Sequence, residues 1–346
     1  MKKGYWELRQ EQKYLAGEMQ INEYYKGLEK AFNQAKREIT STINDFYMKY
    51  AKDNKLSYAD TQRLLNKVEI SDLQAYISKV NESMGKYDLE LNNMGLKARL
   101  TRYQALETQI DATLQQLYSI DYELKGKELL KEVYTDQYYR TWYNTDVFKG
   151  FHSEFAQIDP YTINELIKYP FNGANFSDRL WKQKDHMLVQ LNESLTTMLI
   201  QGKHPSTLSS QFARNVSGGV LDRTFKSKRF EAYRLLHTEG SFIIEQGTLA
   251  GYKEDGVEKY QILATLDSRT SQTCRHQDGK IYDVDKAVVG VNLSPFHMLC
   301  RTTTTPYYED EDYSQDTRVA RDSEGKTYKV PATMKYKEWN KIYGIV

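Results

Sequence analysis

Apolar side chains recur at spacings of three and four along most of the chain up to Leu249, the signature of helices that bury one stripe. The first stripe runs Ile21, Tyr25, Leu28, Phe32, Ala35, Ile39, Ile43, Phe46 and Tyr50, and predicts a helix of about seven turns. Leu56-Ser57-Tyr58 predicts a break with Ser57 as N-cap, followed by shorter amphipathic pieces at 58–67 and 70–84. A second long helix is predicted from Leu96, Leu100, Tyr103, Leu106, Ile110, Leu114 and Leu117, continuing to Trp142 and Tyr143. No proline precedes Pro160, and proline costs about 3 kcal/mol inside a helix. Helices that long must bury their stripes on one another, so an elongated helical body is expected over 1–150.

From Asn144 to Asn175 the composition shifts to Gly, Pro, Phe and Asp, which predicts a hinge and a second helical lobe over 151–223. Its main helix is predicted to start with Ser177 as N-cap and to bury Leu180, Trp181, Met187, Leu188, Leu191, Leu195 and Met198, with Gly202 and Pro205 ending it. A short helix at 206–214 and another long one at Thr224–Leu249 follow. After Gly251 the period changes. Tyr260–Leu266, Lys280–Asp283 and Arg301–Thr305 read as short strands, with Asp278-Gly279 as the turn before the second. The fold class expected is therefore mainly α, with a small α+β domain at 224–310 and a partly ordered tail at 311–346 that docks Trp339.

The chain has 346 residues, with 48 Lys and Arg against 47 Asp and Glu. Net charge therefore gives no global pull toward nucleic acid or membrane. No apolar run is long enough for a membrane span, and the N-terminus lacks the apolar core of a secretory signal. Tyrosine is abundant, at 28 copies against 12 Phe and 4 Trp; it suits wet interfaces as well as half-buried helix faces. The basic segment of note contains Lys203, Arg214, Arg223, Lys226, Lys228, Arg229 and Arg234 against Asp222 and Glu231. It reads either as a solvated helix face or as a non-specific phosphate contact, with too few aromatics for base stacking.

Candidate chemistry is concentrated between Thr265 and Pro306. This stretch holds the chain's 2 cysteines, Cys274 and Cys300, and the histidines His276 and His297. Cys-x-His followed by His-x-x-Cys offers four donors for a structural Zn²⁺, which would add folding energy to a loop-rich domain. The same residues are also compatible with two ordinary packed thiols and partly exposed histidines, or with a Cys274–Cys300 disulfide. A Cys nucleophile with a His base lacks a recognisable oxyanion turn. A metal nuclease would have to enlist Asp267 and Asp278, residues that as Asp-Ser and Asp-Gly more often cap turns.

The strings Thr265-Leu-Asp-Ser-Arg-Thr270, Cys274, Asp278-Gly279-Lys280, Gly290-Val-Asn292 and Pro295-Phe-His-x-x-Cys-Arg301 resemble the C-terminal domain of phage minor head proteins, the Mu F-like head morphogenesis family. Arg234-Leu-Leu-His-Thr-Glu239 resembles that family's Arg…Thr-Glu helix, and Met334–Trp339 its C-terminal extension. This match covers about 229–306. Phe46-Tyr47-x-x-Tyr50 and Asn172-Gly-x-x-Phe176-Ser resemble larger Gram-positive phage or prophage members. The resemblance implies a minor capsid protein, present in few copies near the portal, with portal and capsid or scaffold proteins as partners. It would be made in the bacterial host cytoplasm and reside in the virion.

The resemblance further implies that some members touch DNA and that some carry fused toxin domains, for which the stretch from Tyr307 to Val346 is short. No enzymatic role is therefore expected. The rival expectations are a metal-dependent nuclease and a DNA-binding internal ejection protein. Cys274, His297 and Cys300 fall on positions the family favours, and His276 on a variable one. Asp267, Arg269, Asp278, Gly279, Pro295 and Arg301 are expected to hold the C-terminal fold through turns and charge-assisted hydrogen bonds. Arg234 and Glu239, five apart on one helix, are expected to face different partners.

Overall fold

The computed structural model describes residues 5–53, 106–150, 157–200, 220–314, 316–322, 324 and 326–343. The expected break at 56–58, the pieces at 58–67 and 70–84, the helix at 206–214, and the stripe residues Leu96, Leu100 and Tyr103 lie outside them. Helix α1 spans Tyr5–Asp53. Residues 106–116 are helical, Leu117–Leu124 form a π-helical stretch, and α2 follows as Lys125–Lys149. The shorter α3 is Pro160–Lys168 and α4 is Phe176–Ile200. Helix α5 spans Val220–Glu254, several residues beyond the expected limits at both ends. The mainly helical expectation, with long N-terminal helices and few C-terminal strands, is what the chain adopts.

The expected N-cap of α4 is corrected: Ser177 lies inside the helix, and the Asn175 side chain accepts from the Asp178 N–H at 2.9 Å. Asparagine serves a first-turn amide as well as serine does, and here it sits two residues nearer the turn at Gly173.

The chain divides into two compact units. One comprises Leu28–Glu123 and Leu180–Glu231. Its core is built from the expected stripes: Leu28, Phe32, Ala35, Ile39 and Ile43 of α1 with Leu106, Ile110, Leu114 and Leu117, and Leu180, Met187 and Leu191 of α4. Phe32 meets Tyr118, Tyr122 and Phe225 edge-on, at ring-centroid distances of 5.8, 6.4 and 6.5 Å. Each large apolar side chain so buried contributes about 1.5–3 kcal/mol.

The other unit comprises the start of α1, Leu124–Arg179 and everything from Ala232. Here α2 and α5 approach so closely that glycine is required. A Cβ on Gly247 would lie 2.7 Å from the Tyr134 carbonyl oxygen, and one on Gly251 would lie 2.9 Å from that of Tyr138. The start of α1 is tied to α5 by Lys13, whose buried ammonium donates to Thr248 Oγ1 at 3.0 Å. Burial pulls the Lys13 pKa down to about 8 against the opposing charge of Glu245. Glu245 in turn accepts from Thr303 and Thr304 at 2.7 and 3.1 Å.

Those threonines belong to β3 (Thr303–Tyr307), which pairs antiparallel with β1 (Lys259–Leu263). Strand β2 (Ile281–Asp283) flanks β1 on its other side, giving the order β2-β1-β3. Between β1 and β2 lies a short helix, α6 (Gln272–Gln277). Beyond β3, the residues expected as a partly ordered tail form a hairpin, β4 (Thr317–Arg321) with β5 (Thr327–Pro331), and a helix, α7 (Tyr336–Tyr343). Trp339 is docked as expected, buried with Leu266, Ala320, Val330 and Tyr336, and its Nε1 donates to Tyr328 Oη at 2.7 Å.

Alanine normally stabilises a helix by about 1 kcal/mol over glycine. Because the obstructing atoms here are backbone, we expect the opposite sign: Gly247→Ala and Gly251→Ala should each lower stability by about 1–3 kcal/mol in urea denaturation of the full chain. A raised or unchanged urea midpoint would mean that α2 and α5 do not pack at these positions.

Candidate functional site

Three of the four expected donors converge. Cys274, His297 and Cys300 place one ligand atom each within 4.8 Å of one another. Cys274 Sγ lies 3.6 Å from Cys300 Sγ and 3.1 Å from His297 Nε2. His276 is exposed and does not belong to this group, which corrects the four-donor expectation. The reason is local: Cys274 and His276 are two apart on α6, and two residues turn a helix by about 200°.

Helix α6 begins at Ser271, whose Oγ accepts from the Cys274 N–H at 3.2 Å and lies 2.8 Å from His297 Nε2. Ser-x-x-Cys is an ordinary N-cap spacing, a signal by which the sequence could have exposed α6. His297 Nδ1 lies 2.8 Å from the Met298 carbonyl oxygen. A carbonyl only accepts, so Nδ1 carries the hydrogen and Nε2 turns its lone pair toward Cys274 and Ser271.

Helix α5 holds the loop that carries His297 and Cys300. Thr238 Oγ1 accepts from the Leu299 N–H at 3.1 Å, and Ser241 Oγ donates to the Cys300 carbonyl at 3.0 Å. Leu299 itself is left-handed, at φ 57°, a conformation that costs a leucine about 1–3 kcal/mol and persists only where its surroundings impose it. The Ser294–Pro295 peptide is cis, Pro295 is buried, and Ser294 Oγ donates to the Thr302 carbonyl at 2.7 Å.

The two thiols are inequivalent. A hydrogen bond from Cys274 brings the Cys300 thiol down to about 6, against the effect of burial and with help from the backbone at Phe296 and Thr302. As the donor of that bond, and because it is buried, Cys274 is pushed well above the usual thiol range.

The other expected residues are placed as follows. Asp267 accepts from Arg301 through both oxygens, at 2.5 and 2.9 Å, and from the Arg269 N–H at 3.0 Å. Burial alone would raise its pKa, but the Arg301 guanidinium outweighs this and holds the carboxyl below its ordinary value. The side chain of Arg269 is exposed. Asp278 is buried and accepts from the Ala264 and Tyr336 N–H groups at 2.9 and 2.7 Å, and from Arg318 at 2.9 and 3.1 Å. Gly279, at φ 74°, reverses the chain immediately after it.

Both aspartates therefore face arginines. Arg234 donates to Met298 Sδ at 3.5 Å, whereas Glu239 pairs with Arg179 at 2.6 Å, so the two have different partners. Of the basic set, Lys203 and Arg214 lie outside the described residues, and Arg223 and Lys226 are exposed. Lys228 is corrected as a DNA contact: it is fully buried and paired with Glu231 at 2.8 Å. Arg229 is half-buried and bonded to Glu29 and Asn33, each at 3.1 Å.

Residues 190–305 match the family described as Phage Mu protein F like protein. They form a Mu F-like region. The match begins upstream of the expected 229, so the Mu F-like region takes in the end of α4, all of α5, and the β1–β3 sheet with its Cys/His cluster. The minor head protein GP7 of Bacillus phage SPP1 is 25% identical over 337 residues, 93% of either chain. A protein of Enterococcus faecalis (strain ATCC 700802 / V583) named NAD(+)–arginine ADP-ribosyltransferase EFV is 26% identical over 252 residues, 71% of this chain.

The chain spans about half of the Enterococcus protein, 49% of its length. That relative's name overturns the expectation of no enzymatic role, because proteins similar over most of this chain include one named for group transfer. No solved structure matches.

Glu239 provides a pH test. Burial lifts its carboxyl from 4.5 to about 7, despite Arg179. An acid whose folded pKa is raised holds its proton more tightly when folded. Its contribution is therefore full below pH 4.5 and is lost as pH rises through about 7. Urea midpoints across this window should show wild type losing about 3 kcal/mol more than Glu239→Gln. Equal losses would mean that Arg179 keeps the carboxylate ionised throughout.

Proposed function

We propose that this protein acts in phage head morphogenesis as a minor head protein of the virion. The supporting observation is collinearity: the similarity to the SPP1 minor head protein spans 93% of both chains, well beyond the Mu F-like region alone. On this reading the chain is synthesised in the host cell and assembles at the portal vertex with portal and capsid or scaffold proteins. No helix among the described residues is long and apolar enough to cross a membrane. The tyrosines left exposed on the helices, among them Tyr143 and Tyr161, offer the amphipathic surface such contacts use.

Co-expression tests the portal contact. The portal protein of the same phage should co-purify with this chain, and heads assembled without the chain should be fewer or defective. A chain that elutes alone, with unchanged head yield in its absence, would contradict the reading.

A contact with packaged DNA would be made by Arg223 and Lys226, exposed cations in the first two turns of α5. Replacing both with alanine should reduce the slope of log affinity against log salt by about 1 per residue, uniformly across sequences. An unchanged slope in filter-binding titrations would place any DNA contact elsewhere.

A further inference from the structure

We propose that Cys274, Cys300 and His297 form a Zn²⁺ site that locks the loop 294–300 onto α6. The geometry points to a metal in three ways. A tetrahedral zinc with Zn–S near 2.3 Å and Zn–N near 2.0–2.1 Å sets edges of about 3.8 Å between sulfurs and about 3.6 Å between sulfur and nitrogen. The sulfur–sulfur separation of 3.6 Å is close to its edge, and the sulfur–nitrogen separation of 3.1 Å lies about 0.5 Å inside its own, an adjustment within reach of side-chain rotation. A disulfide would need its sulfurs about 2.05 Å apart.

The imidazole is also prepared as a ligand. The Met298 carbonyl fixes the hydrogen on Nδ1, the arrangement by which backbone oxygens orient zinc-bound histidines. Nε2 is left with a lone pair directed at Cys274. Ser271 Oγ lies 2.8 Å from that nitrogen, so a hydroxyl adjoins the three donors.

The third argument comes from packing. The core beneath these loops is a cluster of Ala264, Cys274 and Cys300, with Phe296 against it. Val284 and Leu293 anchor the middle of the β1–β3 connection in a separate cluster, so at the Cys/His end the apolar packing is limited to these small side chains, and ordering each loop residue costs about 1–2 kcal/mol. A metal bond across the 26-residue separation of the two cysteines would add a cross-link at this end. Zn²⁺ takes both sulfurs as thiolates, any thiol proton leaving to solvent, with no redox change. The site rests on these side chains alone and is independent of the head-assembly reading.

The full chain, purified without added metal or chelator, should contain one zinc by elemental analysis. Exchange with Co²⁺ should give the thiolate-to-cobalt charge-transfer and tetrahedral visible bands of a two-thiolate site, a readout that needs no variant. Cys300→Ser and His297→Ala should lose the metal, while His276→Ala should retain it. The proposal is overturned by metal-free protein that also fails to take up Zn²⁺ or Co²⁺ while both thiols titrate. A Cys274–Cys300 disulfide in chain made in a reducing cell would overturn it as well, as would equal zinc loss in His276→Ala and His297→Ala.

Discussion

The C-terminal architecture depends on one buried carboxylate. Asp278 has no exposed side-chain surface, and its two oxygens receive the Ala264 and Tyr336 amides and the Arg318 guanidinium. Those donors come from three separate places: the end of β1, the β4–β5 hairpin and the start of α7. Arg318 reaches further, donating to the carbonyls of Ala264 and Met334 at 2.5 and 3.0 Å. An unpaired charge in such a site costs several kcal/mol, whereas a fully hydrogen-bonded pair recovers it. The hairpin and α7 are therefore held by the same group that ends α6 and turns the chain at Gly279.

The Cys/His cluster stands on the other end of α6 and is steadied from a different direction. Thr238 and Ser241, one turn apart on α5, bind consecutive residues of the loop that carries Cys300. Arg234 and Glu239 on the same helix engage Met298 and Arg179. Helix α5 thus presents different faces to the loop, to α2 and to the β3 threonines. This explains why its hydrophobic pattern is diffuse while most of its residues from Leu235 to Tyr252 are buried.

Much of this was legible in the sequence because it rests on periodicity. The stripes of α1 and of 106–117 name most of the buried residues described there, that of α4 names Leu180, Met187 and Leu191 while Trp181 and Leu188 are half-buried, and the three strands fall near where β-branched and turn residues predicted them. Part of what escaped depends on pairs distant in sequence, and part on which face of a helix is buried. Nothing local marks Arg318 as the partner of Asp278, or the hairpin as more than tail. Lys228 reads as a surface cation until Glu231 and a buried helix face claim it. His276 reads as a ligand until the short helix α6 turns it away from Cys274. Gly247 and Gly251 carry a spacing of four that, in hindsight, signals backbone contact.

The central claim, that Asp278 couples three segments into one structure, is tested most directly by hydrogen exchange on the full chain carrying Asp278→Ala. Amides of 259–266, 317–331 and 336–343 should lose protection together, while those of α2 keep theirs. Unchanged protection, or loss confined to the residues beside position 278, would contradict it.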